Sequence, residues 1–334
     1  MKKKGFTLVE LLVVIAIIAM LLAILMPALN KVRQIAYRMV CGSNLSGMGK
    51  ACLTYANDYE ECYPVTTGTP ALQWSSTNSA EFWDVDVSAA PFDFASQVSS
   101  ATVSSSLFLL VKFADVSTAQ FVCKATDAKK FELSTTSGLQ NNPSTTTIKD
   151  VAQCWDFGRT LGGTNGSWNY VSYSYQLPYA PTGSDMVKVS LSASTQAGVA
   201  IMADASPWWK NGARNTDIQT SYTAGMTDPY MASASDWGLP SGSASKEKVR
   251  LANSLNHQQE GQNVLYGDSH VSFEATSNVG IQQDNIYTPW ASNTANTNAD
   301  QSQIQCGMDP SSFPSGPNSS IGSYNEADSF LVGN

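Results

Sequence analysis

Between Phe6 and Met26 the chain has a run of residues in which only Thr7 and Glu10 are polar. As a helix this stretch is ~32 Å long at about 1.5 Å per residue, enough to cross a bilayer core of ~30 Å. Charge returns after Pro27, with Lys31, Arg33 and Arg38. Farther on, Leu45, Met48, Cys52, Tyr55 and Tyr59 recur at spacings of three and four, which predicts one buried helix face. Pro27 lacks a backbone donor and crowds the carbonyl of Ala23, so a kink is expected there. Gly42, Gly47 and Gly49 each weaken the helix by about 1 kcal/mol relative to alanine, and Pro64 is expected to end it. The pattern predicts a long N-terminal helix whose second half packs on a globular head.

The rest of the chain is rich in loops. Ser/Thr/Asn stretches near 75–80, 96–106, 134–147 and 291–303 read as connections and insertions. Three segments read as strands: Tyr170–Gln176, Gly198–Asp204, and Gln262–Glu274. The last is a hairpin, turning at Gly267-Asp268-Ser269. An edge of this hairpin is expected to cover the apolar face of the helix.

Charge narrows the choice of partners. The chain of 334 residues carries a formal charge of −8, with seven of its 19 Lys and Arg in the first 50 residues. Residues 60–334 hold 12 basic and 25 acidic side chains, a surface that repels phosphate backbones and argues against nucleic acid. Eight Trp, 13 Tyr and 12 Phe need burial or a binding partner, which argues against a disordered chain. Lys2, Lys3 and Lys4 before the apolar run place the N-terminus in the cytoplasm and the head outside. The run continues to Pro27 without a polar, small-residue cleavage region of the secretory type. Glu10 inside it costs a few kcal/mol unless it is paired or close to the interface. Two readings answer that cost. Glu10 snorkels to the headgroups, or a cut between Gly5 and Phe6 gives a neighbouring subunit a positive Phe6 amine to pair with it.

Gly5-Phe6-Thr7-Leu8-Val9-Glu10-Leu11-Leu12-Val13-Val14-Ile15, after the lysines, resembles the processing motif of type IV prepilins and type II secretion pseudopilins. The resemblance covers about 35 residues. It implies cleavage between Gly5 and Phe6 by a prepilin peptidase of the inner membrane, with N-methylation of Phe6. It also implies Glu10 as the assembly residue and Pro27 as a helix-kinking proline. The fold implied is pilin-like α+β, with the helix packed on an antiparallel sheet bearing loop-rich insertions. The expected divisions are a leader at 1–5, a membrane-spanning or filament-core helix at 6–27, its periplasmic continuation at 28–63 and a head at 64–334. The expected function is that of a non-enzymatic subunit of a pilus-like filament or secretion pseudopilus. Its partners are then the membrane, the peptidase and other pilin or pseudopilin subunits. It would lie first in the inner membrane and then in a periplasmic pseudopilus or a surface filament.

A second resemblance lies farther along. Asn256-His257 and Gly261-Gln262-Asn263-Val264-Leu265-Tyr266-Gly267-Asp268-Ser269-His270-Val271 are similar to the C-terminal signature of large pilin-like proteins of Planctomycetes, Verrucomicrobia and Lentisphaerae. Phe121-Val122-Cys123 and Asp284-Asn285-Ile286-Tyr287 also fit that group. Here Lys124 replaces the usual proline and Ser269 the usual turn glycine.

Candidate chemistry is sparse. Asp204, His257, Asp268 and His270 are candidate metal ligands, two imidazoles and two carboxylates. The competing reading has Asp268 supporting the hairpin turn while His257 and His270 hydrogen-bond across it. Resemblance to the major pseudopilins makes a calcium ion possible, with no ligands assigned. Six cysteines, Cys41, Cys52, Cys62, Cys123, Cys154 and Cys306, are disulfide candidates outside the cytoplasm. Cys41 and Cys52 on one continuous helix would stand about 16 Å apart, too far to bridge. Ser243-Ala244-Ser245-Lys246 lacks the companion motifs of a Ser-x-x-Lys enzyme, and no phosphate loop or nucleophile elbow is present. Trp208, Trp209, Trp237 and Trp290 in polar contexts suggest a second function, stacking on sugar rings at the cell surface, against ordinary packing.

Overall fold

The computed structural model describes residues 7–65, 103–132, 157, 169–176, 191–210, 213–214, 250, 252–288, 290 and 327–332. Gly5, Phe6, Cys154, Cys306, Trp237 and Ser243–Lys246 lie outside them.

Helix α1 spans Leu8–Asp58 and continues through Pro27 and all three glycines. It joins two different environments. Every residue from Thr7 to Arg33 is exposed, so none of the described residues covers the apolar half. Farther on, Cys41, Leu45, Met48, Gly49, Cys52, Tyr55 and Ala56 are buried, at the spacing of one helix face. The helix ends six residues before Pro64. Tyr59 caps it, and Glu60 and Glu61 take left-handed φ values of 51° and 61°. Tyr59 is therefore at the rim, 39% exposed and stacked on Tyr55 at 4.1 Å, instead of completing the buried stripe.

The head is an antiparallel five-stranded sheet. Its strands are β1 (Tyr173–Gln176), β2 (Ala200–Asp204), β5 (Gln262–Tyr266), β6 (Val271–Glu274) and β7 (Leu331–Val332), in the order β6-β5-β2-β1-β7. A separate two-residue ribbon pairs β3 (Trp209–Lys210) with β4 (Ala213–Arg214). All three sequence-predicted strand segments form, with β1 and β2 starting two or three residues late. The hairpin turns at Gly267–Ser269 as expected. Ser269 adopts φ 68° there, so the turn is left-handed even without the glycine.

The helix lies across β5, β6 and β2. Its buried stripe joins Tyr173, Tyr175, Ile201, Met202, Leu265 and Phe330 in one apolar cluster. The opposite sheet face packs Ala200, Ala203, Val264, Tyr266 and Leu331 against Trp208, Ile286 and Tyr287. Ile201 and Met202 are neighbours in sequence yet share the helix-side cluster. A register shift between Ala200 and Met202 breaks the two-residue alternation there.

One helix was not anticipated. α2 (Val103–Phe113) begins inside the stretch at 96–106 read as a connection. Val103, Leu107 and Leu110 give it a helical stripe, and Ser104, Ser105 and Ser106 are buried with it against the core. Serine-rich composition masked that period. Phe108 of this helix packs edge-to-face on Phe131 and Phe157, and Phe121 is tilted against Phe157, with centroids 4.8–5.9 Å apart.

Helix and sheet approach closely at Gly49, where an added Cβ would meet Leu265 Cδ1 at 2.8 Å. At Gly47 it would meet only the flexible end of Gln120, at 3.5 Å or beyond. Gly49→Val is therefore expected to cost about 1–3 kcal/mol by overpacking, whereas Gly47→Ala should be neutral or stabilising by up to ~1 kcal/mol. Urea unfolding of the full chain in detergent, followed by tryptophan fluorescence, checks the contrast.

Candidate functional site

Two regions carry chemistry, the start of α1 and the seam between α1 and the head. At the start, Thr7 is the N-cap and Glu10 the third helical residue, together a capping box. Thr7 N–H and Thr7 Oγ1–H donate to Glu10 Oε2 at 2.8 and 2.7 Å, and Glu10 N–H donates to Thr7 Oγ1 at 3.3 Å. The acid in the apolar run thus has local donors in the single chain, a third answer to its cost besides snorkelling and an intersubunit amine. Both bonds from Thr7 to the carboxylate use one oxygen, Oε2.

In the seam, four side chains meet. Cys41 comes from α1, Cys123 from the segment after the turn Thr118–Phe121, Asp204 from the end of β2, and His257 from the turn Leu255–His257. Their ligand-type atoms lie within 4.8 Å of one another, and all four residues are buried. The sulfurs are 2.8 Å apart, and Cys123 Sγ is 4.0 Å from His257 Nε2. Asp204 Oδ2 accepts from Asn263 N–H at 2.7 Å and Asn263 Nδ2 at 3.0 Å, and stands 3.2 Å from His257 Nε2. Its Oδ1 accepts from Asn256 Nδ2 at 3.4 Å. Nearby, Asn44 of α1 donates to Val122 O and Tyr173 Oη.

The electrostatics follow from this crowding. The neighbouring Cys123 thiol, chiefly, pulls Cys41 down to about 6 against the opposing effect of burial. Cys123 is pushed up by the same sulfur contact and by burial. Burial acts to lower His257, but hydrogen bonds and charge from Asp204 and Cys41 outweigh it and raise the imidazole to about 9. Burial alone raises Cys52.

The four metal candidates thus separate into two pairs. Asp204 and His257 are together in the seam, joined by two cysteines absent from the candidate set. Asp268 and His270 sit at the exposed hairpin turn, where His270 N–H donates to Asp268 Oδ1 at 3.1 Å and the His270 ring also contacts that carboxylate. The His270 backbone N–H is the main reason the Asp268 carboxyl is held low. Its ring stacks on Tyr266 at 4.4 Å. The hydrogen bonding of the turn is as expected for Asp268 and His270, but His257 takes no part in it. Among the described residues the seam group is the only gathering of three or more Cys, His or acidic ligands. Trp208 and Trp290 are buried, 5% and 0% exposed, so neither presents a face to a sugar.

The comparisons bear on the start of the N-terminal helix. Residues 1–26 match the prokaryotic N-terminal methylation motif. The chain is thereby type IV prepilin- or pseudopilin-like at its N-terminus, on an α+β fold whose N-terminal helix is long and apolar enough to cross a membrane. No curated protein and no solved structure matches the chain.

A second acidic site is structural. Asp284 and Asp328 are fully buried, with Asp284 Oδ2 accepting from Ser329 N–H at 2.8 Å and Asp328 Oδ2 from Trp290 N–H at 3.2 Å. Burial first, and then repulsion from Asp328, raise the Asp284 carboxyl well above the usual range. A carboxyl raised on folding contributes its stability below the unfolded value near 4 and loses it as pH rises through the folded value. Asp284→Asn keeps the acceptor for Ser329 and cannot ionise. It is expected to exceed the wild type in stability by about 1–3 kcal/mol at pH 7, the gap closing as pH falls to 4. Thermal melts across that range read the difference.

Proposed function

We propose that this chain is a non-enzymatic structural subunit of a pilus-like filament or type II secretion pseudopilus, assembled through the first half of α1. The observation that carries the reading is the pairing of an uncovered apolar helix, exposed throughout Thr7–Arg33, with a methylation motif at its start. Each large apolar side chain left in water forgoes about 1.5–3 kcal/mol, so this segment needs lipid or other helices. Uncleaved, it sits in the inner membrane with Lys2–Lys4 on the cytoplasmic side. A prepilin peptidase then cuts between Gly5 and Phe6, removes those lysines and creates the Phe6 amine, which is methylated. Helices of sister subunits replace lipid around the apolar half, and the acidic head faces outward.

Glu10 acts in this assembly as the charge that sets the stagger between subunits. Thr7 occupies Oε2 and keeps the carboxylate tolerable before assembly. The carboxylate then accepts the Phe6 ammonium of a neighbour, a charge-assisted bond of about 1.5–3 kcal/mol. The surface sugar-binding alternative has no support from Trp208 and Trp290, which are buried.

Mass spectrometry of the protein from its native membrane should show a chain beginning at N-methylated Phe6; an intact Met1 would leave a simple anchor. Glu10→Ala is expected to insert normally but to reduce recovery of assembled filaments tenfold or more. Thr7→Ala removes the cap while keeping the acid and should assemble better than Glu10→Ala. Equal loss in both variants would assign the effect to helix capping instead.

A further inference from the structure

We propose that Cys41 and Cys123 form a disulfide that locks α1 to the head once the head has been exported. The inference rests on the subunit reading for its oxidising compartment, and on the seam for its geometry. Cys41 and Cys123 are 82 positions apart in sequence, yet their sulfurs face each other at 2.8 Å with both residues 0% exposed. Closing that gap to the ~2.05 Å of a disulfide needs less than 1 Å of movement.

The same four residues suggest a zinc-type ion, and the geometry argues against it. Two thiolates at about 2.3 Å from a tetrahedral ion stand roughly 3.7 Å apart, so the sulfurs would have to separate by about 0.9 Å within a packed seam. Asp204 is already engaged as well. Its Oδ2 takes both Asn263 donors and faces His257 Nε2, and its Oδ1 takes Asn256. A metal would have to displace His257 from that carboxylate and claim an oxygen that backbone and side-chain donors hold. The carboxylate and imidazole face each other at 3.2 Å, and the shortest contact of each sulfur in this group is the other sulfur, at 2.8 Å against 4.0 Å from Cys123 to His257.

The covalent step balances with a disulfide-bearing oxidant, the class of thiol–disulfide exchange proteins outside the cytoplasm. One cysteine thiolate attacks a sulfur of the oxidant's disulfide and expels its partner sulfur as a thiolate. The second cysteine, losing its proton, attacks the mixed disulfide and releases the other oxidant sulfur. The chain gains one S–S bond and loses two protons and two electrons, which leave as the oxidant's two thiols. Burial of both sulfurs places this exchange before the helix is fully docked. Afterwards the seam shields the bond from reductants.

The test uses the full chain, exported in its host and extracted in detergent. Free thiols are alkylated under denaturing conditions without reductant, in the presence of a chelator. The sample is then digested and read by mass spectrometry, with bound metal measured in parallel on untreated protein. A peptide linking Cys41 to Cys123 as the dominant form supports the proposal, as does a drop in thermal midpoint on adding reductant that Cys41→Ser no longer shows. Alkylation at both Cys41 and Cys123 overturns it, whether with stoichiometric zinc, which would make the cluster a metal site, or without. Linkage of either residue to a different cysteine also overturns it. The same spectra report the N-terminus, so free thiols on a chain starting at methylated Phe6 would sink the disulfide alone, leaving the subunit reading in place.

Discussion

One helix must satisfy two solvents, and the rest of the molecule is arranged around that demand. From Thr7 to Arg33 none of the described residues covers α1, while from Cys41 to Ala56 one face is in the core of the head. The apolar half is continuous around its circumference and so has no preferred side within a single chain. A bilayer accepts that, and so does a bundle of identical helices. Water does not. The backbone continuity of α1 then joins whatever happens in the apolar half to the position of the head.

The junction is built for orientation more than for simple adhesion. Beside the apolar stripe lie polar groups: Asn44 of α1 reaches across to Val122 and Tyr173, and on the head side Asp204 holds Asn256, Asn263 and His257 in place. Sliding α1 by one turn, ~5.4 Å, would break the Asn44 bonds and move Gly49 away from Leu265, putting bulkier residues against the sheet. Arg38 adds a rim contact, pairing with Glu260 and lying over the Phe273 ring at 4.5 Å. A bond between Cys41 and Cys123 would join the same seam across 82 positions. In the chain-entropy account a loop of that size is worth about 4–5 kcal/mol.

What could be read from the sequence follows from how local each signal is. The apolar run, the three-and-four spacing of Leu45, Met48, Cys52 and Tyr55, and the hairpin around Gly267–Ser269 are short-range patterns, and each produced its element. Tyr59 failed because Glu60 and Glu61 adopt a left-handed backbone that no apolar period announces. α2 failed because its serines are buried, which reverses the usual meaning of a Ser-rich stretch. The site was half visible. Asp204 and His257 stood out as residue types, but Cys41 and Cys123 come from elements far apart in sequence, and only the docking of α1 on β5 brings them to Asp204. With two histidines, one buried and one at an exposed turn, sequence gave no means of telling which belonged to the seam.

The polar character of the seam has its own physical logic. An all-apolar junction would bind the helix comparably well but would tolerate sliding and rotation, because hydrophobic contact is non-directional. Buried hydrogen bonds cost desolvation in every arrangement and recover it only in the right one. For an isolated globular protein that discrimination matters little. On the proposed reading, in which neighbours grip the helix, it decides where the head is held, since a helix turning against its own head would blur the surface of the assembly. Asn44 is central to this. Its amide on α1 donates to Val122 O and Tyr173 Oη of the head, while the Asp204 carboxylate, holding Asn256 and His257 of the turn Leu255–His257 and Asn263 of β5, fixes the head side of the seam. Removing the Asn44 amide would break the bonds that cross the seam while leaving the apolar cluster intact, separating the register of the helix from its affinity for the head.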